Sequence, residues 1–197
     1  MSGLRESKKA ATRAQIARAA AALALDQGAD ALTIAAVSEA AGVSPRTFHN
    51  YFTAMDEALL EFMVGRVSEL IDRLRDAPAD AGLFDAIQWV IIEGLRGEAG
   101  VDTHLDSFAS LFRISDLLLT MRGAAAIHDL DEQLRPLFDK LRARTPNLGP
   151  FEAEVAIRAA AAVAQTALEL YFTLPEPKDP AAAAELIRRA FAVVRLA

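Results

Sequence analysis

The chain of 197 residues contains no cysteine, one tryptophan and two tyrosines. Without cysteine it has no disulfide framework, no thiolate zinc site and no cysteine nucleophile, and it suits a reducing cytoplasm. β-Branched and aromatic runs are also scarce, whereas alanine and leucine dominate, which favours helix over strand. We therefore expect an all-α protein that buries a sizeable core in one or two domains.

Membrane-targeting and catalytic motifs are missing as well. The N-terminus is polar and basic without an apolar stretch, so no signal peptide is expected. The most apolar long run, residues 159–174, is interrupted by Gln165 and Glu169 and is interpreted as a buried helix, not a membrane span. A nucleophile elbow, an HExxH motif and a glycine-rich phosphate loop are all absent. We expect a cytoplasmic protein that is not an enzyme and needs no cofactor.

A metal site is not expected either. Asp102, His104 and Asp106 offer carboxylate and imidazole groups, but spacing of i, i+2, i+4 spreads them around a helix axis. Asp102 is more simply a favourable charge near a helix N-terminus. His128 has no glutamate three residues before it, so the di-iron bundle motif is absent.

Charge is distributed unevenly along the chain. The net charge is −6, which by itself argues against a polyanionic partner. Residues 1–55, however, hold six Lys or Arg and four Asp or Glu residues, a net charge of +2, which leaves −8 on the remainder. A weakly basic N-terminal part on an acidic body suits a small DNA-binding module attached to a domain with another role. The alternative is a chance asymmetry.

The stretch from Thr33 to Phe52 (TIAAVSEAAGVSPRTFHNYF) has the pattern of two short helices joined by a tight turn. Thr33 can cap the first helix, because its hydroxyl can accept from a free backbone N–H of the first turn. Gly42 stands where that helix ends, and glycine adopts the left-handed conformation there without strain. Ser44 is predicted to cap the second helix, with Pro45 at its first position.

The second helix has an apolar side and a polar side. Phe48 and Phe52, four residues apart, form the stripe that we expect to be buried. The polar side chains around its outer side and flank are Arg46, Thr47, His49, Asn50 and Tyr51. This pattern is that of the helix-turn-helix of DNA-binding proteins, in which a 3–4-residue turn joins two helices and the second has a hydrogen-bonding outer face.

Arg46 and Asn50 are the predicted base-reading residues. A guanidinium matches the two acceptors of guanine, and an asparagine can read adenine or bind phosphate. The alternative for Arg46 is a solvated charge at a helix start. The remaining residues of the predicted DNA-binding surface are expected to contact phosphate and sugar, which sets the register without reading the base sequence. The predicted DNA-binding residues are Lys8, Lys9, Thr33, Ser44, Pro45, Arg46, Thr47, His49, Asn50 and Tyr51.

Apolar periodicity predicts further helices on both sides of this stretch. They cover residues 8–26 before it and residues 55–76, 83–96, 101–113, 115–144, 151–174 and 181–195 after it. The segment from Ser115 is expected to be interrupted near Gly123 and to kink or restart near Pro136. Residues 1–7 are expected to form a mobile arm, and Thr53 to cap the helix from residue 55. Residues 77–80 are the candidate hinge.

These elements predict a DNA-binding domain over residues 1–54 and a helical ligand-binding and dimerisation domain over residues 55–197. A mostly apolar interior with a few polar groups is what a small-molecule site needs. Gln165 is the sharpest candidate, because an amide in a segment rich in alanine and valine must find a partner. The alternative is that all the candidate ligand-binding residues, named next, are core residues. The candidate ligand-binding residues are Trp89, His104, Phe108, Phe112, Met121, Gln165, Thr166 and Tyr171.

The N-terminal part, roughly residues 8–60, resembles the TetR family of bacterial transcriptional regulators, whereas the remainder matches in architecture only. The resemblance implies about nine helices, a homodimer on a palindromic DNA operator, and a small molecule in the body that releases DNA. It also implies that the last two helices make the dimer. The matching residues are Ile16, Ala19, Ala20, Gly28, Leu32, Thr33, Ile34, Val37, Ala41, Gly42, Val43, Ser44, Thr47, Phe48, Tyr51, Phe52, Leu59 and Leu60.

Two positions depart from the family pattern. His49 stands where the family commonly has a tyrosine that touches phosphate, and Met55 stands where a lysine often reaches the DNA backbone. Histidine can still donate to a phosphate oxygen, whereas methionine cannot. Fewer phosphate contacts lower the affinity and flatten its salt dependence. We expect the basic N-terminal residues to compensate.

The sequence therefore favours a ligand-responsive transcriptional regulator, and more specifically a repressor. Its effector is expected to be apolar or aromatic. One alternative is a helical small-molecule-binding protein or enzyme with a vestigial DNA-binding part, which turnover of a bound ligand would reveal. Another is a protein-interaction module, which predicts a body without a cavity.

Overall fold

The computed structural model describes residues 2–98, 105, 107–174 and 179–195. Within these residues the fold is all-α, as predicted, and short 3-10 turns follow α1, α4 and α7. The helices are α1 (Ser2–Gln27), α2 (Ile34–Ala40), α3 (Pro45–Tyr51), α4 (Met55–Asp72), α5 (Leu83–Glu98), α6 (Phe108–Arg122), α7 (Ala124–Leu141), α8 (Pro150–Phe172) and α9 (Pro180–Arg195).

The N-terminal residues differ from the prediction. Residues 1–7 were expected to form a mobile arm, but α1 already begins at Ser2. These residues contain no proline, and the single Gly3 lowers helix propensity by about 1 kcal/mol without breaking the helix, so the helix extends past the part whose apolar face is buried. Lys8 and Lys9 are therefore exposed side chains on a regular helix, one to two turns before Arg13.

The middle of the chain contains a second correction. The predicted helices at 101–113 and from Ser115 are wrong in their bounds, since α6 runs without a break from Phe108 to Arg122. The predicted interruption at Gly123 is confirmed, because this glycine has a φ of +59° between α6 and α7. Helix α7 then continues through Pro136, so the predicted restart there is wrong. Asp102, His104 and Asp106 lie outside the described residues.

The chain divides into two compact units. The head unit comprises Met1–Val67, His104–Asp106 and Ser110–Gln133, and the body unit comprises Ser68–Thr103, Ser107–Ala109 and Leu134–Ala197. The head unit is thus larger than the predicted DNA-binding domain, because it includes the first part of α4, most of α6 and the first part of α7. The functional boundary at residues 54 and 55 stays a prediction.

In the body unit, α5 packs against both α8 and α9. Ile157, Ile187 and Phe191 are fully buried in this core, and the rings of Phe84 and Phe191 meet edge to face with centroids 6.2 Å apart. The central position predicted for α5 is confirmed. Each aromatic or branched side chain buried in this way contributes about 1.5–3 kcal/mol.

Helix α8 is only half buried, although the sequence predicted a buried helix. Ala153, Ile157 and Ala160 face the core of the body unit, whereas Phe151 and Val155 on other faces are 75% and 51% exposed. Of the described helices, this one is long and apolar enough to cross a membrane by length and composition alone. It carries an ion pair in which Arg158 Nε lies 2.7 Å from Glu154 Oε1, and one of its faces packs on α5 and α9.

The predicted hinge at residues 77–80 is tied down at both sides. Arg144, in the 3-10 turn after α7, donates from Nη1 to the carbonyl of Ala81 at 3.0 Å and from Nη2 to that of Leu74. Ala77 is buried. A single guanidinium with several donors thus joins the 3-10 turn after α4 to the residues just before α5.

Candidate DNA-binding surface

The two short helices of the head unit are capped as their sequences predict. The Thr33 hydroxyl accepts from the Ala36 N–H at 3.1 Å, and the Ser44 hydroxyl accepts from the Thr47 N–H at 3.0 Å. Pro45 occupies the first turn of α3, where its missing N–H costs no hydrogen bond. Each cap satisfies one of the four N–H groups that a helix start leaves unpaired.

The turn between α2 and α3 depends on glycine and on backbone hydrogen bonds. Gly42 has a φ of +62°, in the left-handed region that side chains with a Cβ disfavour. The Val43 N–H donates to the Ser38 carbonyl at 2.9 Å, which closes the end of α2. The Gln15 amide of α1 donates to the Ala41 carbonyl at 2.8 Å and so fixes this turn to α1.

Two phenylalanines hold α3 in place. Phe48 is 0% exposed and Phe52 is 1% exposed, with ring centroids 5.7 Å apart. Because Phe48 is buried, Arg46 and Asn50, two residues before and after it, lie on the opposite side of the helix. Both are exposed, as is His49, whose ring meets the edge of Phe48 at a centroid distance of 5.8 Å.

The other predicted DNA-binding residues of α2 and α3 take two kinds of position. Thr47 and Tyr51 are half buried on one flank of α3, and the Thr47 hydroxyl lies 2.8 Å from the Ser44 hydroxyl. Pro45, Thr33 and Ser44 are exposed at the starts of α2 and α3. A hydroxyl that caps a helix accepts through its oxygen and can still donate its O–H to a phosphate, so capping does not prevent a DNA contact at these positions.

Arg13, on α1, is a contact that the sequence did not reveal. Its Nε lies 2.7 Å from Glu61 Oε2, its Nη1 donates to the Tyr51 carbonyl at 2.7 Å, and its Cζ lies 4.4 Å from the centre of the Phe52 ring. One side chain thereby joins α1, the end of α3 and α4. In the sequence, Arg13 is only one of the six Lys or Arg residues of the weakly basic N-terminal part.

Two arginines of α6 also bond within the head unit. Arg113 Nη2 donates to the Leu25 carbonyl, in the last turn of α1, at 2.6 Å. Arg122 lies between two carboxylates, with Nε 2.8 Å from Asp56 Oδ2 and Nη1 2.5 Å from Asp129 Oδ2. These contacts explain why most of α6 belongs to the head unit, and the sequence pattern carried no signal for them because ion pairs between distant residues leave no periodicity.

The candidate ligand-binding residues do not gather into one site. Phe112 and Met121 fall in the head unit, and the other described candidates fall in the body unit. Gln165 is exposed and donates to Glu169 Oε1 at 2.9 Å, so its expected interior position is wrong, and Thr166 and Met121 are exposed as well. The buried candidates are Phe108 and Tyr171, and the half-buried ones are Trp89 and Phe112, while His104 is outside the described residues.

Phe108 is buried because of a glycine in α5. A Cβ on Gly94 would lie 2.5 Å from Phe108 Cε2, so only glycine leaves room for the ring at this point. This contact makes Phe108 part of the body core in the described structure, in line with the alternative that the sequence left open.

A groove of about 840 Å³ lies elsewhere in the body unit. It runs between the 3-10 turn after α4, with the loop that follows it, and the C-terminal end of α7. Its polar margin includes Asp72, Arg75, Lys140 and Arg144, and the ion pair between Lys140 Nζ and Asp72 Oδ1 measures 3.2 Å. None of the candidate ligand-binding residues lines it.

The first turn of α4 is held by a glutamate. The Thr53 N–H and the Thr53 hydroxyl donate to the two carboxylate oxygens of Glu57, at 2.8 and 2.6 Å. Thr53 therefore donates to Glu57 through both its N–H and its hydroxyl, and the helix cap that the sequence suggested at Thr53 stays a prediction. These two bonds are the main reason that the pKa of Glu57 is lowered from its ordinary value of 4.5.

This lowered pKa predicts an acid-sensitive helix start. Because the folded state has the lower pKa, the contribution of Glu57 is fully present above about pH 4.5 and is lost as the pH falls through the folded pKa. Thr53→Val removes the hydroxyl donor, so the pKa of Glu57 should rise toward 4.5, as measured by carboxyl NMR titration. Glu57→Gln should remove this part of the acid dependence of the melting temperature. An unchanged Glu57 titration in Thr53→Val would contradict this explanation.

Comparison with known proteins agrees with this geometry. Residues 16–62 match the family model of bacterial regulatory proteins, tetR family. These residues contain α2, the turn and α3, together with the buried part of α1 and the start of α4. No curated protein sequence matches the chain.

Solved structures share the fold over nearly the whole chain. FadR from Bacillus subtilis, solved with stearoyl-CoA, has a TM-score of 0.64 and 15% identity, and the alignment covers 91% of this chain and 96% of that one. FadR from Thermus thermophilus, a TetR-family repressor solved with lauroyl-CoA, has a TM-score of 0.60, 20% identity and 93% coverage of both chains. The multidrug binding protein EbrR, solved with imidazole, has a TM-score of 0.57 and 19% identity, and the alignment covers 90% of this chain and 93% of that one. The helix-turn-helix part of the chain, residues 16–62, thus matches the tetR family of bacterial regulatory proteins, and the chain as a whole shares the all-α fold of these solved regulators.

Proposed function

We propose that this regulator is a repressor that binds a palindromic operator as a homodimer and releases it when a small apolar or aromatic molecule binds the body. The observation that carries the DNA-binding part is the surface of α3. Phe48 and Phe52 are both buried under it, while Arg46 and Asn50 on the opposite side are exposed. A rigid short helix with an unobstructed polar face is what the major groove admits.

The proposed roles follow from exposure. Arg46 and Asn50 read bases, because they lie at the centre of the exposed face and have long or forked polar groups. His49, Thr47 and Tyr51 flank this face and contact phosphate or sugar, as do the helix starts at Thr33, Ser44 and Pro45. Lys8 and Lys9 supply sequence-independent attraction to phosphate.

Arg46→Ala tests the proposed DNA reading. We expect it to weaken binding to the specific operator by about 1–3 kcal/mol and to relax the preference at one base-pair position, because a bidentate contact to guanine is lost. The measurement is fluorescence anisotropy with operator variants at fixed salt. Arg75→Ala, an exposed arginine of the body unit, is the control. A wild-type protein with no preference for its own promoter region over random duplex would disprove the proposed function.

The homodimer is proposed to form through α8 and α9. Phe151, Val155 and Leu170 of α8 are 75%, 51% and 55% exposed, and Val193 of α9 is 69% exposed. Several large apolar side chains on two adjacent helices mark an interaction surface. A second copy of the same surface satisfies them, and a twofold dimer brings two recognition helices to one palindrome.

Charged substitutions on these helices should disrupt the dimer. Val155→Glu and Val193→Glu place a charge where the interface would bury it, so we expect monomers in sedimentation velocity at micromolar concentration. Leu119→Glu, on α6, is the matched control, since Leu119 is 39% exposed but is not on α8 or α9. Dimers that persist in both variants would exclude this interface.

Long-chain acyl-CoA thioesters are the first effector class to test. Two of the proteins that share the fold were solved with such molecules, stearoyl-CoA and lauroyl-CoA. We expect lauroyl-CoA or stearoyl-CoA to raise the melting temperature, because a ligand that binds only the folded state stabilises it, and to release operator DNA. Coenzyme A without an acyl chain is the control. Stabilisation by neither acyl-CoA would remove this class from the proposal.

The remaining alternative is a helical enzyme or binding protein with a vestigial head. We do not favour this alternative, because the polar face of α3 is exposed. Chemical turnover of a bound ligand, together with a lack of operator preference, would favour it. In the proposed function the protein acts in the cytoplasm, where its operator is.

A further inference from the structure

Helix α3 is too short to fix its own position. It has seven residues, Pro45–Tyr51, whereas isolated helices shorter than about 12–15 residues are marginal in water. Its start is capped by Ser44 and its middle is anchored by Phe48. Its last carbonyl groups, like those of every helix, have no partner within the helix. The orientation of its exposed face therefore depends on what binds its C-terminal end.

Arg13 is the side chain that binds this end. Its Nη1 donates to the Tyr51 carbonyl at 2.7 Å, so a positive charge stands at the negative end of the α3 dipole. Its Nε is held 2.7 Å from Glu61 Oε2 on α4, and its plane lies over Phe52, with Cζ 4.4 Å from the ring centre. Three contacts in three directions fix the guanidinium, and the guanidinium in turn fixes Tyr51.

Helix α1 holds the helix-turn-helix at a second point. The Gln15 amide donates to the Ala41 carbonyl at 2.8 Å, in the turn between α2 and α3. Gln15 and Arg13 are two residues apart on α1, and they bind the two ends of the segment from Ala41 to Tyr51. This segment cannot rotate on α1 without breaking one of these hydrogen bonds.

Arg13 is also poorly placed to act as a phosphate ligand. Two of its nitrogens already bond to protein acceptors, and its side chain is only 38% exposed. Lys8, Lys9 and Arg46 are exposed. A cation that leaves Glu61 and Tyr51 to reach phosphate would forfeit two charge-assisted hydrogen bonds.

From this geometry we infer that Arg13 is a positioning residue for operator recognition, which sets the angle at which α3 presents Arg46 and Asn50 to the bases. The inference rests on the proposed function. Arg13 acts through the Tyr51 carbonyl and touches no DNA. Its loss changes the binding of the correct sequence and leaves the attraction to phosphates intact, because base readout needs the side chains within a fraction of an ångström.

The test compares Arg13→Met and Arg13→Lys with the full-length wild-type protein on the operator and on random duplex over a range of salt concentrations. For Arg13→Met we expect operator affinity to fall about tenfold per folded molecule, with random-duplex affinity and the salt slope unchanged. Arg13→Lys keeps the charge but cannot reach Tyr51 and Glu61 together, so it should restore only part of the loss.

Two other results would overturn the inference. A salt slope reduced by about 0.9 would mean that Arg13 neutralises a phosphate. Operator affinity per folded molecule within twofold of the wild type would mean that Arg13 only stabilises the fold. Ile16→Val is the stability control, because it removes one buried carbon from the same helix and none of the hydrogen bonds of Arg13, at a cost of about 0.5–1.5 kcal/mol. If Arg13→Met does not fold, Arg13→Lys decides between these results.

Tyrosine NMR provides an independent readout. The chain has two tyrosines, Tyr51 and Tyr171, which lie in the head and body units. In protein labelled at tyrosine, Arg13→Lys should shift the carbonyl and ring signals of Tyr51 and leave those of Tyr171 in place. Unshifted Tyr51 signals would contradict the inference. A wild-type protein without operator preference would instead disprove the proposed function.

Discussion

The burial of Phe48 and Phe52 is the constraint on which the DNA-binding surface depends. Helices α2 and α3 have seven residues each, so neither has the length to persist alone. Two fully buried rings contribute about 1.5–3 kcal/mol each, which is enough to hold α3 on the head. Once Phe48 points inward, helical geometry turns Arg46 and Asn50 outward. The polar face is thus a consequence of the packing.

Polar contacts of α1 and α6 add to apolar burial in holding the helices of the head unit together. Burial decides which face of a short helix points inward, and directed hydrogen bonds then fix its angle more narrowly. Arg13 and Gln15 supply them to α3 and to the turn before it, and Glu57 supplies them at the start of α4. Arg113 and Arg122 join α6 to the same unit. Within the head unit, α6 is thereby bonded to the last turn of α1 and to the first turn of α4.

The body unit is organised by different means. Small side chains on α8, such as Ala153 and Ala160, allow close packing on its buried face, and its other faces carry exposed apolar groups. The groove at the end of α7 is bounded by charges that are paired with each other or with carbonyl groups.

The sequence alone determined the local features of this protein. These features follow from residue types and short spacings, because the interactions behind them lie within one or two helical turns. They are the caps at Thr33 and Ser44, the glycines at 42 and 123 where helices end, the buried pair Phe48 and Phe52, and the all-α class. The tertiary structure decided what depends on distant residues. It placed Gln165 on the surface, buried Phe108 against Gly94, started α6 at residue 108 and brought Arg13 to Tyr51 and Glu61. Hydrogen bonds between positions 38 and 48 residues apart have no periodic signature, so only the folded chain reveals them.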